Sequence, residues 1–224
     1  MLQRLQLIKN LVFCLLLNLS TGNIRMIKTL LVAYIVVAST FALAKAKDDG
    51  SQIQPDNYYP RVKMVTSMGD IIVELDRSRA PITVNNFLRY VDKRSYEDTV
   101  FHRIVPDFVV QGGGYDSNFV EKPSFGKIFN ESGNGLKNQM YSITMARQDD
   151  PHSATRQFFF NMSNNDSLDP GRKWGYTVFG SVVDGYQVLD KMVKVKTDFD
   201  PKYGWSDVPV EPVILLKVIV LPPV

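Results

Sequence analysis

The stretch Val100–Gly114, VFHRIVPDFVVQGGG, decides how this chain folds. Its apolar, β-branched residues belong in a buried strand, yet His102 and Arg103 stand together inside it and Gln111 follows. Burying a guanidinium without a partner is costly, so Arg103 must be paired, at the surface, or on the wall of a cleft. Period-two alternation places Phe101, Arg103 and Val105 on one face and His102 with Ile104 on the other, so the two polar groups should not share a surface. Pro106 interrupts the ladder, and parity cannot be carried across it. Beyond the break Val109 and Gln111 point the same way, and Gly112–Gly114 permit close backbone approach. Two arrangements stay open: a cleft lined by Arg103, Gln111 and apolar side chains, or a strand whose arginine snorkels to solvent.

Working outward, VKMVTSMGDIIVELD from Val62 reads as two alternating runs around a turn at Met68-Gly69-Asp70, a hairpin. Pro81 suits the first turn of a helix, and Ile82, Val84, Phe87, Leu88 and Val91 recur at helical spacing behind it. The runs ITMAR, RQFFFNM and YTVFGSVV are further short strands, separated by long polar connections. A second helix from Gly185 to Lys194 would bury Val188, Leu189 and Met192, and PVILLKVIVL from Pro212 supplies a last strand able to pair with the first. About eight short strands with two helices fit a mainly β fold, a closed antiparallel barrel capped at its ends, because closure removes exposed edges.

The 224 residues suit one domain with appendages. The formal charge of +3 comes from the start of the chain: Arg4, Lys9, Arg25 and Lys28 are the only charges before Lys45, which leaves 22 basic against 23 acidic residues afterwards. That is no footprint for nucleic acid. Residues 1–44 read as a leader. Met26-Ile-Lys-Thr, the apolar run from Leu30 and Ala42-Leu43-Ala44 reproduce a secretory signal with cleavage after Ala44, and Met26 is a candidate true start. The rival is an apolar segment retained as a membrane anchor. Cys14, the only cysteine, lies in this leader, so the mature chain has no disulfide scaffold and no thiol nucleophile. Residues 45–60, polar and proline-punctuated, read as a linker or arm, and 61–224 as the working domain.

Standard chemistries find little support. His102 and His152 are the only histidines, neither in a ligand spacing, so no metal site is expected. No G-x-S-x-G accompanies His152 and Ser153, and the glycines after Gln111 lack the lysine and helix of a phosphate loop.

Four ordered blocks carry a resemblance: FHRIVPDFVVQGG, ITMAR, SATRQFFFNM and LDPGRKWGYTVFGSVVDG. Together, over about Val62 to Leu221, they resemble the cyclophilin family of peptidyl-prolyl cis-trans isomerases. The MAR and WGYTVFG forms, behind a signal, are similar to its exported bacterial branch. The resemblance implies a closed eight-stranded antiparallel barrel with a helix at each end, with no metal and no cofactor. It implies proline-containing polypeptides as substrates, periplasmic or otherwise exported, no nucleic acid, no lasting membrane insertion once the signal is removed, and a monomer. Arg103 matches the family's catalytic arginine; Phe108, Val109, Phe159 and Leu168 match the apolar walls around the substrate proline. Gln111, Ala146, Arg147 and Gln157 match groove positions, His102 matches a histidine that contacts substrate backbone, and Tyr176 stands where histidine is frequent. Several residues depart from the familiar pattern. Ser167 replaces tryptophan, implying weak cyclosporin binding; Val109 replaces methionine; Asp107 replaces glycine and Arg156 replaces serine, and both of these should alter charge at the rim. The alternative to an isomerase is a chaperone-like, proline-recognising module in which turnover is incidental.

Overall fold

The computed structural model describes residues 48–223; the expected leader, the expected cleavage after Ala44 and Cys14 fall outside the described residues. The first hairpin pairs β1 (Arg61–Thr66) with β2 (Gly69–Leu75), Thr66 opposite Gly69 across a two-residue turn. Alternation holds along it: Val62 and Met64, then Ile71, Val73 and Leu75, are buried, while the residues between them reach outward. Gly69 is obligatory at the turn, since its φ of 131° lies outside what L side chains favour and a Cβ there would sit 2.9 Å from Val188.

Helix α1 (Pro81–Asp92) starts on its proline and buries Val84, Phe87, Leu88 and Val91, whereas Ile82, expected on the same stripe, is 43% exposed. Its first turn is capped from a distance: the Glu131 carboxylate accepts the N–H of Ile82 at 3.1 Å and of Thr83 at 2.8 Å, supplying both an acceptor and a negative charge for the helix start. Helix α2 (Tyr186–Met192) buries the expected Val188, Leu189 and Met192.

The remaining strands are β3 (Thr99–Val100), β4 (Arg103–Val105), β5 (Val109–Gly112), β6 (Ser142–Met145), β7 (Phe158–Asn161), β8 (Val178–Asp184), β9 (Thr197–Asp200), β10 (Trp205–Pro209) and β11 (Ile214–Val220). The sheet is not the closed eight-stranded barrel that strand count and resemblance implied. Nine strands form one open, curled sheet in the order β3-β11-β1-β2-β8-β6-β7-β5-β4, and β9 with β10 makes a separate pair. Both edges of the large sheet lie on one stretch of chain, because Thr99–Val105 changes partners midway: β3 pairs with β11 and β4 with β5. At the change Phe101 still donates its N–H to the Val213 carbonyl at 2.9 Å, beyond the end of β3, and His102 belongs to neither ladder, so a covalent link rather than a hydrogen-bonded seam joins the two edges.

The described part of the 45–60 segment is docked. The buried Arg77 guanidinium donates to the carbonyls of Ile53, Gln54 and Asn57, the Gln54 amide donates to the Leu221 carbonyl at 2.7 Å, and Ile53 packs on the core. The core itself centres on Phe87, whose ring meets those of Tyr96, Phe158 and Phe179 at 5.0, 5.7 and 5.4 Å.

Candidate active site

Cross-strand register assembles the site. Arg103 on β4 stands opposite Gln111 on β5, Gln111 opposite Phe159 on β7, and Phe159 opposite Thr144 on β6. Directly opposed residues share a sheet face, so the ladder carries the parity that Pro106 hides in the sequence. The alternate row, Ile104, Val110, Phe160 and Ile143, is fully buried in the core. Pro106 and Asp107 form the turn between β4 and β5; Asp107 adopts φ 57°, a left-handed conformation that aspartate tolerates and that explains why glycine suits the position. The turn presents Phe108 beside Arg103, with the guanidinium carbon 5.7 Å from the Phe108 ring centre.

These elements enclose a hollow of about 130 Å³. Arg103 and Gln111 form one side, and Phe108, Val109 and Phe159 form the apolar floor, the last two only 2% and 4% exposed. Leu168, from a single 3-10 turn (Asp166–Leu168), closes it together with Tyr176, Ala146 and Arg147. Ser167, in the same turn, is exposed. Tyr176 is fixed by an edge contact with Phe159, 5.9 Å between ring centres, and by the Arg147 guanidinium 4.4 Å from its ring centre. Arg147 is itself tethered, donating to the carbonyls of Gly175 at 3.1 Å and Trp174 at 2.8 Å. A dry cavity of ~150 Å³ takes a benzene ring, so this hollow has the dimensions of a single small ring.

His102 and Gln157 lie outside that hollow, in a neighbouring one of about 420 Å³ that Arg103 and Gln111 also line. Gln111 and Gln157 are joined by an amide hydrogen bond of 3.0 Å. His102 and Arg103 therefore share a surface, contrary to the alternation argument, because His102 sits where the chain belongs to neither ladder and strand parity does not apply. The same break in parity displaces Phe101, which alternation puts beside Arg103 but which is 1% exposed and packed edge-on against Phe158. Burial, reinforced by the Arg103 charge, lowers the His102 imidazole from 6.5 to about 4, so it is neutral at physiological pH. Its ring meets Tyr115 at 4.9 Å and Trp205 at 5.9 Å. His152 stacks on Phe129 at 4.3 Å and lines neither hollow.

Three neighbours of Arg103 escaped sequence reasoning. Trp205 and Asp207 arrive on β10, a strand not expected, and Tyr115 follows the triple glycine. The Asp207 carboxylate lies 4.0 Å from Arg103 Nε, with the two side chains 40% and 38% exposed. The only signal in the sequence is a lone tryptophan in a charged, glycine- and proline-broken segment. Arg156, expected at the rim, is 2% exposed and donates to the carbonyls of Gly113, Pro123 and Ser95.

Comparison with known proteins places this geometry. Residues 61–220 match the family model described as cyclophilin type peptidyl-prolyl cis-trans isomerase/CLD. A peptidyl-prolyl cis-trans isomerase of Streptomyces antibioticus is 46% identical over 158 residues, 69% of this chain and 94% of that protein. Peptidyl-prolyl cis-trans isomerase B of Escherichia coli is 43% identical over 159 residues, 69% and 96% of the two chains. Among solved structures, a cyclophilin type isomerase of Cryptosporidium parvum superposes with a TM-score of 0.61 at 24% identity, covering 74% of this chain and 99% of that one, and supports the fold. That protein was also solved in the presence of the dipeptide Ala-Pro.

Proposed function

The chain belongs to the cyclophilin type peptidyl-prolyl cis-trans isomerases and accelerates rotation about X-Pro bonds; from that premise we propose that the ring-sized hollow holds the substrate proline and that Arg103 is the catalytic residue. Amide rotation faces a barrier of ~18–20 kcal/mol, while the two isomers of an X-Pro bond differ by only ~0.5–1 kcal/mol, so the enzyme's task is speed. At the half-turned geometry resonance is lost and the proline nitrogen regains its lone pair. A fixed guanidinium at the edge of the hollow stabilises that state more than either planar one, the differential binding that catalysis requires. Phe108, Val109, Phe159 and Leu168 grip the ring while the rest of the substrate turns; Gln111, Gln157, Ala146, Arg147, His102 and Tyr176 line its path.

The observation that carries this reading is the position of Arg103, on the same sheet face as Gln111 and Phe159 and beside Phe108. Arg103→Ala should cut turnover of an Xaa-Pro peptide, measured by magnetisation exchange, by ~10²-fold or more, and change peptide affinity far less. Equal losses in both would instead favour a recognition module. The substrates are exported polypeptides on this reading, because residues 1–44 have the charged start, apolar run and small-residue end of a signal. N-terminal sequencing of the exported protein should begin at Lys45; an intact leader in a membrane fraction would overturn the cleavage.

A further inference from the structure

The larger hollow beside the proline site is built by residues with no part in gripping the ring. On β10 Trp205 pairs with Asp200 and Val208 with Asp198, so β10 carries one residue more than β9 over that span, a β-bulge. Asp207 lies in it at φ 64°. Bulges bend a strand and re-aim its side chains, often next to active sites. Here the carboxylate turns toward Arg103, and the Trp205 indole meets Tyr115 at 4.8 Å and Tyr203 at 5.1 Å. We propose that this hollow is a second subsite, for an aromatic side chain one or two residues from the substrate proline, with Trp205 as its specificity-determining residue.

Three observations support this. The hollow is continuous with the smaller one, since Arg103 and Gln111 line both, and successive Cα atoms are ~3.8 Å apart, so a near neighbour of a seated proline lies across that shared wall. Its charges offset one another: the Arg103 cation faces the Asp207 anion at 4.0 Å, and His102 is neutral, which leaves no net attraction for an acidic or a basic side chain. What remains is a set of ring faces and edges from Tyr115, Trp205 and His102, the surroundings in which a further ring packs by offset or edge contacts, with the amides of Gln111 and Gln157 at its margin.

The subsite rests on the proline occupying the smaller hollow. The test uses the exported chain and peptides with alanine at the two positions on each side of proline, each position replaced in turn by Phe, Lys or Asp. In the wild type, kcat/KM with Phe should exceed that with Ala by about 10-fold at one or more positions, and Trp205→Leu and Trp205→Ala should bring the ratio below about 2. A flat wild-type ratio, a larger gain with Lys or Asp, or a Phe preference that both variants keep would overturn the subsite. Turnover that does not depend on Arg103 would overturn the reading beneath it instead.

Discussion

Arg156 and Arg103 are the same side chain in opposite settings. The Arg156 guanidinium is 2% exposed, donates to three backbone carbonyls and lies over the rings of Tyr90 and Tyr96 at 5.1 and 5.6 Å. Arg103 is 38% exposed, has one carboxylate at 4.0 Å, and borders two hollows. Every hydrogen bond that Arg156 makes is to the chain's own backbone, so it ties the loops around Ser95, Gly113 and Pro123 to the barrel-like sheet. Arg103 keeps its donors available to something that is not part of the chain. An arginine satisfied by carbonyls serves stability; the one held open over a cleft is the one proposed for chemistry.

The sharpest way to break that contrast is Arg156→Ala. It leaves three carbonyls without donors and a void beside two tyrosines, and should lower the unfolding free energy by about 4 kcal/mol in a denaturant titration. A loss as small as that of a surface residue would show that the loops do not depend on it.

Next in size is a pH effect from the neighbour of Arg103. His102 titrates at about 4 in the fold against 6.5 in the unfolded chain, so between those values the unfolded chain binds a proton that the folded one does not. Its contribution is complete above the unfolded value and is lost as pH falls through that window, by about 3 kcal/mol in all. The stability difference between wild type and His102→Gln should therefore slope with pH between these limits; a level difference would mean that the imidazole accepts its proton in place.

Arg103→Ala should reverse the Arg156 pattern. Turnover falls by ~10²-fold, equivalent to about 2.7 kcal/mol of barrier, while the unfolding free energy stays within ~1 kcal/mol of wild type, since a half-exposed pair contributes little. A variant that melts early would place Arg103 with Arg156. At the bottom of the scale is Arg94, 77% exposed beside Glu97 at 2.8 Å. Arg94→Ala should leave both melting and turnover at wild-type values, and a clear shift in either would show that exposure does not rank these arginines.

Alternation and helical spacing were enough to read the first hairpin and, apart from the exposed Ile82, the buried stripe of α1, because each depends on contacts within one short segment. The β9–β10 pair was not legible: TDFD and WSDVP carry three aspartates and no run of alternating apolar residues, so nothing local distinguishes them from a loop. Residues 45–60 read as a linker or arm, and the anchorage of the described part, 48–60, was not legible for a related reason. Its anchorage uses main-chain carbonyls taken up by Arg77, and carbonyls leave no trace in residue identity.

The ordered blocks around Arg103, Gln111, Phe159 and Leu168 determined by themselves the family, the reaction and the residues that gather at the smaller hollow. Only the tertiary structure decided that His102 shares a surface with Arg103, that Arg156 is buried, and that Trp205 and Asp207 stand beside the site. Period-two parity is a property of a strand held in one ladder. It fails where Thr99–Val105 passes from β11 to β5, and what lies opposite that crossing is set by pairings between segments far apart in the chain.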